Sequence, residues 1–188
     1  RRLSRQAPQS DPGRAAMAYM NSLKKVGIKL RPISFDDQLE WAIRLRRQRQ
    51  WERARIELER LAKEAPNRND RALVEYQLGL ALASLERYED ALASFQRAKR
   101  ATELRSNIIQ QRIKTLRKLG RTEEAVTLAK RVAGGSRKVK DHAAAKIYLE
   151  DGLYEKARKL YRRYHRNARG SESRWKLAWL DYRTGRFK

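Results

Sequence analysis

The sequence contains no cysteine, only two histidines, and just four prolines and nine glycines among its 188 residues. Without cysteine, the chain has neither a disulfide framework nor a thiolate-ligated metal site. The residues that break helices are scarce, and Leu, Ala, Arg, Lys and Glu dominate. Because these five residue types are strong helix formers, the composition predicts an all-α protein with almost no strand.

Long apolar runs are also missing, since no stretch approaches the roughly 18 uninterrupted apolar residues that a membrane-spanning helix needs. The first 14 residues, RRLSRQAPQSDPGR, are basic and polar, and no apolar segment of a secretory signal follows them. The chain does not begin with methionine, so we expect its native N terminus to be missing. The sequence therefore does not decide whether a signal was removed.

A short pattern recurs four times: an aromatic residue or Thr, two mostly polar residues, an alanine, and an apolar residue four positions later. The four copies are WERARIEL from Trp51, YEDALASF from Tyr88, TEEAVTLA from Thr122 and YEKARKLY from Tyr154. Spacings of 37, 34 and 32 residues separate the key alanines, which are Ala54, Ala91, Ala125 and Ala157. A repeat of this length predicts a stack of small supersecondary units.

A second helical pattern precedes each copy, and a short turn separates the two helices. The predicted first helices span residues 35–48, 71–85, 106–119, 139–150 and 171–184. Glycines 120, 152 and 185 mark three of the turns. Paired antiparallel helices with a small alanine at their closest approach predict an α-solenoid, or superhelix, of about five units, the last truncated at the end of the chain.

The units resemble tetratricopeptide repeats (TPR). The second unit fits that pattern best, through Leu78-Gly79, Tyr88, Ala91, Phe95 and Ala98. The resemblance covers residues 35–188, which we expect to form the TPR-like repeat domain. Residues 1–34 are predicted to be an irregular segment followed by a capping helix over residues 15–26. This fold binds many kinds of ligand, so the resemblance does not decide function.

In proteins that this repeat resembles, the first helix of each pair lines a concave groove. That arrangement assigns eight groove residues here: Arg46, Gln110, Lys114, Arg117, Lys146, Trp175, Trp179 and Tyr182. Cations, amides and aromatic rings together suit a polyanion, an acidic peptide or a glycan. The alternative is that the Arg and Lys residues are ordinary solvated helix faces and that the two tryptophans are core packing.

The chain is strongly basic, with 46 Lys and Arg residues against 22 Asp and Glu residues and a formal charge of +24. Residues 72–100 are neutral, whereas residues 101–140 have an excess of eight positive charges and residues 141–188 an excess of seven. Such a charge attracts anionic partners without identifying one. The densest basic run, residues 156–166, spreads its charges around a helix, which disfavours nucleic acid as the partner.

No catalytic or metal-binding pattern is present in the sequence. His142 and His165 have no carboxylate or second histidine at ligand spacing. The segment AGGSRK at residues 133–138 lacks the spacing of a phosphate-binding loop. Asp36 and Asp37 follow Ser34 at a helix start, where acidic side chains satisfy free N–H groups. We therefore expect no metal, no cofactor and no catalytic residue in this chain.

Three segments together resemble the helical superhelix of soluble lytic transglycosylases: WERARIELERLAKEAP from Trp51, DGLYEKARKLYRRYHR from Asp151 and RWKLAWLDYRTGRF from Arg174. In that family, such helices lead into a lysozyme-like domain that cleaves peptidoglycan strands in the periplasm, with the Glu of a Glu-Ser pair as acid and base. The Glu-Ser pair here, Glu172-Ser173, falls inside a repeat helix, and we assign it no catalysis. The resemblance implies a non-catalytic scaffold module of a periplasmic cell-wall enzyme, which would bind peptidoglycan or another anionic polymer.

Two other functions stay open at this point. A non-enzymatic TPR-type adaptor would bind a protein or peptide partner in its groove. RNA binding is the third hypothesis, and the spread of the basic residues disfavours it. The transglycosylase resemblance implies the periplasm as the compartment, and the sequence also leaves the cytoplasm open.

Overall fold

The computed structural model describes residues 18, 19, 22, 26, 33–167 and 171–186. Most of the predicted N-terminal segment and its capping helix lie outside the described residues. Every regular element in the described part is a helix, which confirms the all-α fold of paired helices. None of these helices has the length and apolar character to cross a membrane. The chain divides into two compact units, unit 1 (Arg1–Thr102) and unit 2 (Glu103–Lys188).

Both units are built from helices that pair with their neighbours along the chain. Unit 1 contains α1 (Phe35–Arg47), α2 (Trp51–Glu64), α3 (Arg68–Ser84) and α4 (Tyr88–Arg97). Unit 2 contains α5 (Arg105–Lys118), α6 (Thr122–Ala133), α7 (Arg137–Glu150), α8 (Tyr154–Asn167) and α9 (Ser171–Arg183). Two short 3-10 turns, Ala98–Arg100 and Thr102–Leu104, follow α4. The pairs α1–α2, α3–α4, α5–α6 and α7–α8 correspond to the four copies of the repeat.

Side-chain caps explain where two of the first helices begin. The Ser34 hydroxyl accepts a hydrogen bond from the Asp37 N–H at 3.2 Å, which starts α1. The Asn67 side chain accepts from the N–H groups of Asn69 and Asp70, both at 2.9 Å, which starts α3. Such caps satisfy N–H groups that have no partner within the helix. Helix α3 therefore begins three residues before its predicted start at residue 71.

The turn inside each helix pair uses a residue with left-handed backbone geometry. Gly120 and Gly152 have φ angles of 71° and 74° in the turns of unit 2. The corresponding residues of unit 1 are not glycine: Arg49 has a φ angle of 60° and Glu86 one of 59°. A side chain in this region costs free energy that glycine avoids. The same turn is therefore more strained in unit 1 than in unit 2.

The four key alanines all lie at the helix contacts. Each of them, Ala54, Ala91, Ala125 and Ala157, is 0% exposed. A residue with no side chain beyond Cβ lets the second helix of a pair lie close to the first. The large side chains around them are also buried, with Leu58 and Phe95 at 0% exposure and Tyr161 at 1%.

Gly79 of α3 lies directly against the Phe95 ring of α4. A Cβ atom on Gly79 would lie 2.6 Å from Cε1 and 2.7 Å from Cδ1 of the Phe95 ring. Phe95 is fully buried, and its ring centroid lies 6.1 Å from that of Tyr76. Glycine at position 79 thus makes room for the ring that fills this part of the core.

Candidate binding surface

Helix α5 carries an exposed polar stripe. Its buried side consists of Ile108, Thr115 and Leu116. Gln110 and Lys114, one turn apart, are both exposed, and Asn107 and Lys118 extend the same stripe at its two ends. Among the described residues, no carboxylate forms an ion pair with Lys114 or Lys118. The stripe therefore offers amide and ammonium groups to a ligand.

Helix α7 presents an apolar residue and a cation on one exposed face. Val139 is 47% exposed, and Lys146, two turns later, is also exposed. His142 lies between them on this face and is half-buried, with its ring centroid 4.9 Å from that of Tyr164 and 6.0 Å from that of Tyr161. His142 is therefore part of an aromatic cluster that holds α7 against α8.

The two tryptophans of α9 have different surroundings. Trp175 is 65% exposed, as is Tyr182 seven residues later on the same helix face. Trp179 is half-buried, and its ring meets that of Tyr154 edge-on at a centroid distance of 5.5 Å. The Arg183 guanidinium lies over both rings, 5.0 Å from the Tyr154 centroid and 5.7 Å from that of Trp179. Trp179 is thus partly packed in the core, whereas Trp175 is exposed on the surface.

Arg117 connects the ends of two first helices. Its Nε donates to Asp151 Oδ1 and its Nη1 to Glu150 Oε2, both at 2.6 Å. These bonds join the C-terminal ends of α5 and α7. Lys114 lies three residues before Arg117, and Lys146 lies four residues before Glu150. Each lysine therefore lies about one helical turn from the ion pairs of Arg117.

Arg46 belongs to unit 1, whereas the other seven predicted groove residues belong to unit 2. Its side chain is half-buried, and its Nε is buried without a hydrogen-bond partner among the described residues. Burial, and then the neighbouring charge of Arg47, lower the pKa of Arg46. That Arg46 shares a surface with the seven residues of unit 2 stays a prediction.

Carboxylates are scarce in unit 2, and nearly all of the described ones are paired. The unit holds 24 Lys and Arg residues against nine Asp and Glu residues. The pairs are Glu123–Lys156, Glu124–Arg121, Asp141–Arg163, Glu150–Arg117, Asp151–Arg117, Glu155–Arg186 and Asp181–Arg158. Because cations far outnumber carboxylates, the unit keeps a net positive charge that attracts an anionic ligand.

Perturbed pKa values in unit 2 have structural causes. Hydrogen bonds from Lys156 Nζ at 2.6 Å and Tyr148 Oη at 2.7 Å lower the pKa of Glu123, the lysine contributing more. Burial, and then the bond to Glu123, raise the pKa of Tyr148 to about 12. These contacts join α6, α7 and α8. In the described part of the chain, no three His, Asp or Glu residues cluster as metal ligands.

One recurring contact joins the two helices of a pair and is absent from the sequence-based predictions. An arginine six residues after the key alanine reaches back 22 residues to the first helix of its own pair. Arg60 Nη2 donates to Gln38 Oε1 at 2.8 Å in the first pair. In the second, Arg97 Nε donates to the buried Glu75 at 2.8 Å.

The same contact is present in the fourth pair and has no counterpart in the third. Arg163 donates to both oxygens of the buried Asp141, at 2.6 and 2.7 Å. The third pair keeps the arginine, Arg131, but has Ile109 at the position of the acceptor. The 22-residue spacing between an acid or amide and an arginine was the sequence signal for this contact.

Comparisons with known proteins identify the fold and not a family. No protein-family model matches the chain, and no curated protein matches it. A solved structure described as "MamA RS-1 ArsTM double mutant" is 18% identical and has a TM-score of 0.55, covering 80% of this chain and 84% of its own. One described as "MamA MSR-1 C2" is 23% identical and has a TM-score of 0.50, covering 81% and 79%.

A third structure is described as a thermophilic TPR protein in Thermus thermophilus. It is 18% identical, covers 78% of this chain and 98% of its own, and has a TM-score of 0.37. We draw no conclusion from a similarity this low. These similarities give no support to the resemblance to soluble lytic transglycosylases. With the helix pairs described above, the two MamA similarities show a TPR-like helical-repeat fold.

Proposed function

We propose that this chain is a protein-interaction scaffold and that unit 2 binds an acidic peptide segment of a partner protein. The observation that carries the proposal is that Lys114 and Lys146 each lie about one helical turn from the ion pairs of Arg117, with no described carboxylate paired to either. Nearly all of the described carboxylates of unit 2 are paired with other cations. Carboxylates of a partner would therefore be the counter-ions of these two lysines.

The exposed rings of Trp175 and Tyr182 on α9 would supply the apolar contacts of the interaction. Trp175 and Tyr182 are both 65% exposed and stand two turns apart on one helix. Aromatic side chains bury a large area at little cost in side-chain entropy, and they are frequent anchors at protein interfaces. We expect an acidic segment with one or two apolar side chains to contact both the lysines and the rings.

Fluorescence anisotropy of two labelled peptides tests this proposal. One peptide is rich in Asp and Glu and contains two Leu residues, and the other carries Gln at the acidic positions. We expect the acidic peptide to bind more tightly, with an affinity that falls as salt rises. Lys114→Glu with Lys146→Glu should weaken its binding at least tenfold. The charge-matched control, Lys159→Glu with Arg162→Glu on α8, should weaken it less than threefold.

The aromatic contribution is separated from the ionic one by salt. Trp175→Ala should remove most of the affinity that remains at high salt, because contacts with an apolar ring are not screened. Val132→Ala changes an exposed apolar side chain of α6 and serves as the control. Equal loss of affinity in the double lysine variant and in its α8 control, or acidic and neutral peptides that bind alike, would contradict the proposal.

A second candidate is the cell-wall scaffold implied by the transglycosylase resemblance, with its periplasmic location. Exposed Trp175 favours it, because aromatic rings also stack on sugars. Binding of peptidoglycan sacculi at high salt, lost in Trp175→Ala, would support this candidate over the peptide one. We expect the isolated chain to release no 1,6-anhydro muropeptides from sacculi. Equal and wholly salt-sensitive binding to sacculi, RNA and acidic peptide would contradict both candidates.

A further inference from the structure

The third helix pair, α5–α6, departs from the others at the recurring arginine contact. In the second and fourth pairs, the carboxylates of Glu75 and Asp141 neutralise an arginine of the second helix. Ile109 takes that place in the third pair, so Arg131 keeps the position of the other arginines without its acceptor. No carboxylate among the described residues forms an ion pair with Arg131.

A second arginine, Arg112, lies one helical turn after Ile109 on α5. Arg112 follows Leu78 by 34 residues, the same spacing that separates Ala91 from Ala125, so it occupies a position that is core in the second pair. Leu78 is 4% exposed, and Arg112 is half-buried, with its Nε buried and without a hydrogen-bond partner among the described residues. Burial, and then the charge of Arg131, lower the pKa of Arg112.

The third pair thus has one arginine, Arg112, a helical turn from Ile109, and another, Arg131, at the position from which the other pairs reach their acceptor. Arg112 is partly desolvated, and no described carboxylate is paired to either arginine. A buried donor without a partner is unfavourable, and a second like charge nearby adds to the cost. Guanidinium groups bind the two oxygens of a carboxylate or phosphate through paired N–H donors. An oxyanion would satisfy the buried Nε of Arg112 and neutralise both charges.

We propose that Arg112 and Arg131 form a binding site for an oxyanion, a carboxylate or phosphate group carried by a ligand, at the position that Glu75 and Asp141 fill in other pairs. Of the described carboxylates of unit 2, all but Glu103 already contact a cation. Glu103 is exposed in the turn before α5. The site is separate from the exposed stripe of α5 and does not rest on the function proposed above.

The test compares inorganic phosphate, acetate and chloride at constant ionic strength, with melting temperature and the Arg Nε NMR signals as the measurements. We expect phosphate or acetate to raise the melting temperature of the wild type above its value in chloride. The Arg112 Nε signal, identified by its loss in Arg112→Leu, should shift with the same anion. Comparing phosphate with acetate shows which oxyanion the site prefers.

Two variants and a control then locate the effect. Ile109→Glu supplies the missing acceptor, so it should raise the melting temperature in chloride and weaken binding of the stabilising anion at least tenfold. Val132→Glu places a similar charge on the exposed side of α6, one residue from Arg131, and should keep most of the anion response. Arg112→Leu installs the residue found at this position in the second pair, so it should fold and lose the response.

Three results would overturn the site. The first is a wild type that responds no differently to phosphate or acetate than to chloride. The second is an anion response of equal size in the wild type and in Arg112→Leu, which would place the binding elsewhere on this basic chain. The third is an Arg112 Nε signal that stays unchanged while the melting temperature rises.

Discussion

The contact between Gly79 and Phe95 makes Gly79→Ala the most informative stability variant. In a helix interior, alanine is favoured over glycine by about 1 kcal/mol. At position 79, however, the new Cβ would lie 2.6 and 2.7 Å from two atoms of the Phe95 ring, against an ordinary carbon–carbon contact of about 3.5–4.0 Å. The helix gain and the steric conflict therefore act in opposite directions.

Burial decides which of the two effects is larger. Phe95 is 0% exposed and packs against Tyr76, so a shift of the ring would disturb the packing of its buried neighbours. Overpacking of a closed core costs about 1–3 kcal/mol. We expect the steric term to match or exceed the helix gain, so that Gly79→Ala lowers the free energy of unfolding by up to about 2 kcal/mol.

A double-mutant cycle with Phe95→Leu isolates the steric term. In the Leu background the ring atoms are gone, and Gly79→Ala should stabilise the protein by about 1 kcal/mol. Urea unfolding followed by circular dichroism and by tryptophan fluorescence measures the four free energies, and agreement between the probes shows that the transition is two-state. A change from Gly to Ala with the same effect in both backgrounds would refute the clash.

Three further predictions concern other positions. Ala91→Leu should lower the free energy of unfolding by about 1–3 kcal/mol in urea, because Ala91 is 0% exposed at a helix contact. Glu86→Gly should raise it by roughly 0.5–1 kcal/mol, since it relieves a left-handed turn that unit 2 builds with glycine. Tyr148 has its pKa raised from 10 to about 12, so its contribution to stability is complete below pH 10 and is lost as pH rises towards 12. Unfolding of Tyr148→Phe should show a weaker loss of stability over that window, and a loss equal to the wild type's would contradict this assignment.

Much of the fold could be predicted from the sequence because its signals are local. A helix shows itself by apolar residues at spacings of three and four, and the recurring alanines indicated the four helix pairs. Gly120 and Gly152 marked turns whose backbone glycine adopts most readily. The start of α3 was missed by three residues, because the cap by Asn67 was not recognised.

The candidate site was predictable only in part. Helical spacing put Gln110 and Lys114 on one stripe of α5, and both are exposed as that spacing requires. Helical spacing predicted that Arg117 and Lys114 both face the groove. The Arg117 guanidinium is instead bound by two carboxylates, 33 and 34 residues away along the chain. Helical spacing also gave no means to distinguish the exposure of the two tryptophans. Trp175 is exposed, whereas Trp179 packs against Tyr154.

The sequence by itself determined the all-α class, the number of helix pairs and the alanines at their contacts, since helical periodicity and the recurrence of one pattern can be recognised without knowledge of any long-range contact. The tertiary structure decided which charges are neutralised and which are left over. Arg97 pairs with Glu75 because the two helices of their pair align so that these side chains meet. The same alignment leaves Arg131 without an acceptor, because Ile109 stands at the corresponding position. That alignment brings together side chains 22 residues apart, a distance at which helical periodicity no longer specifies contacts.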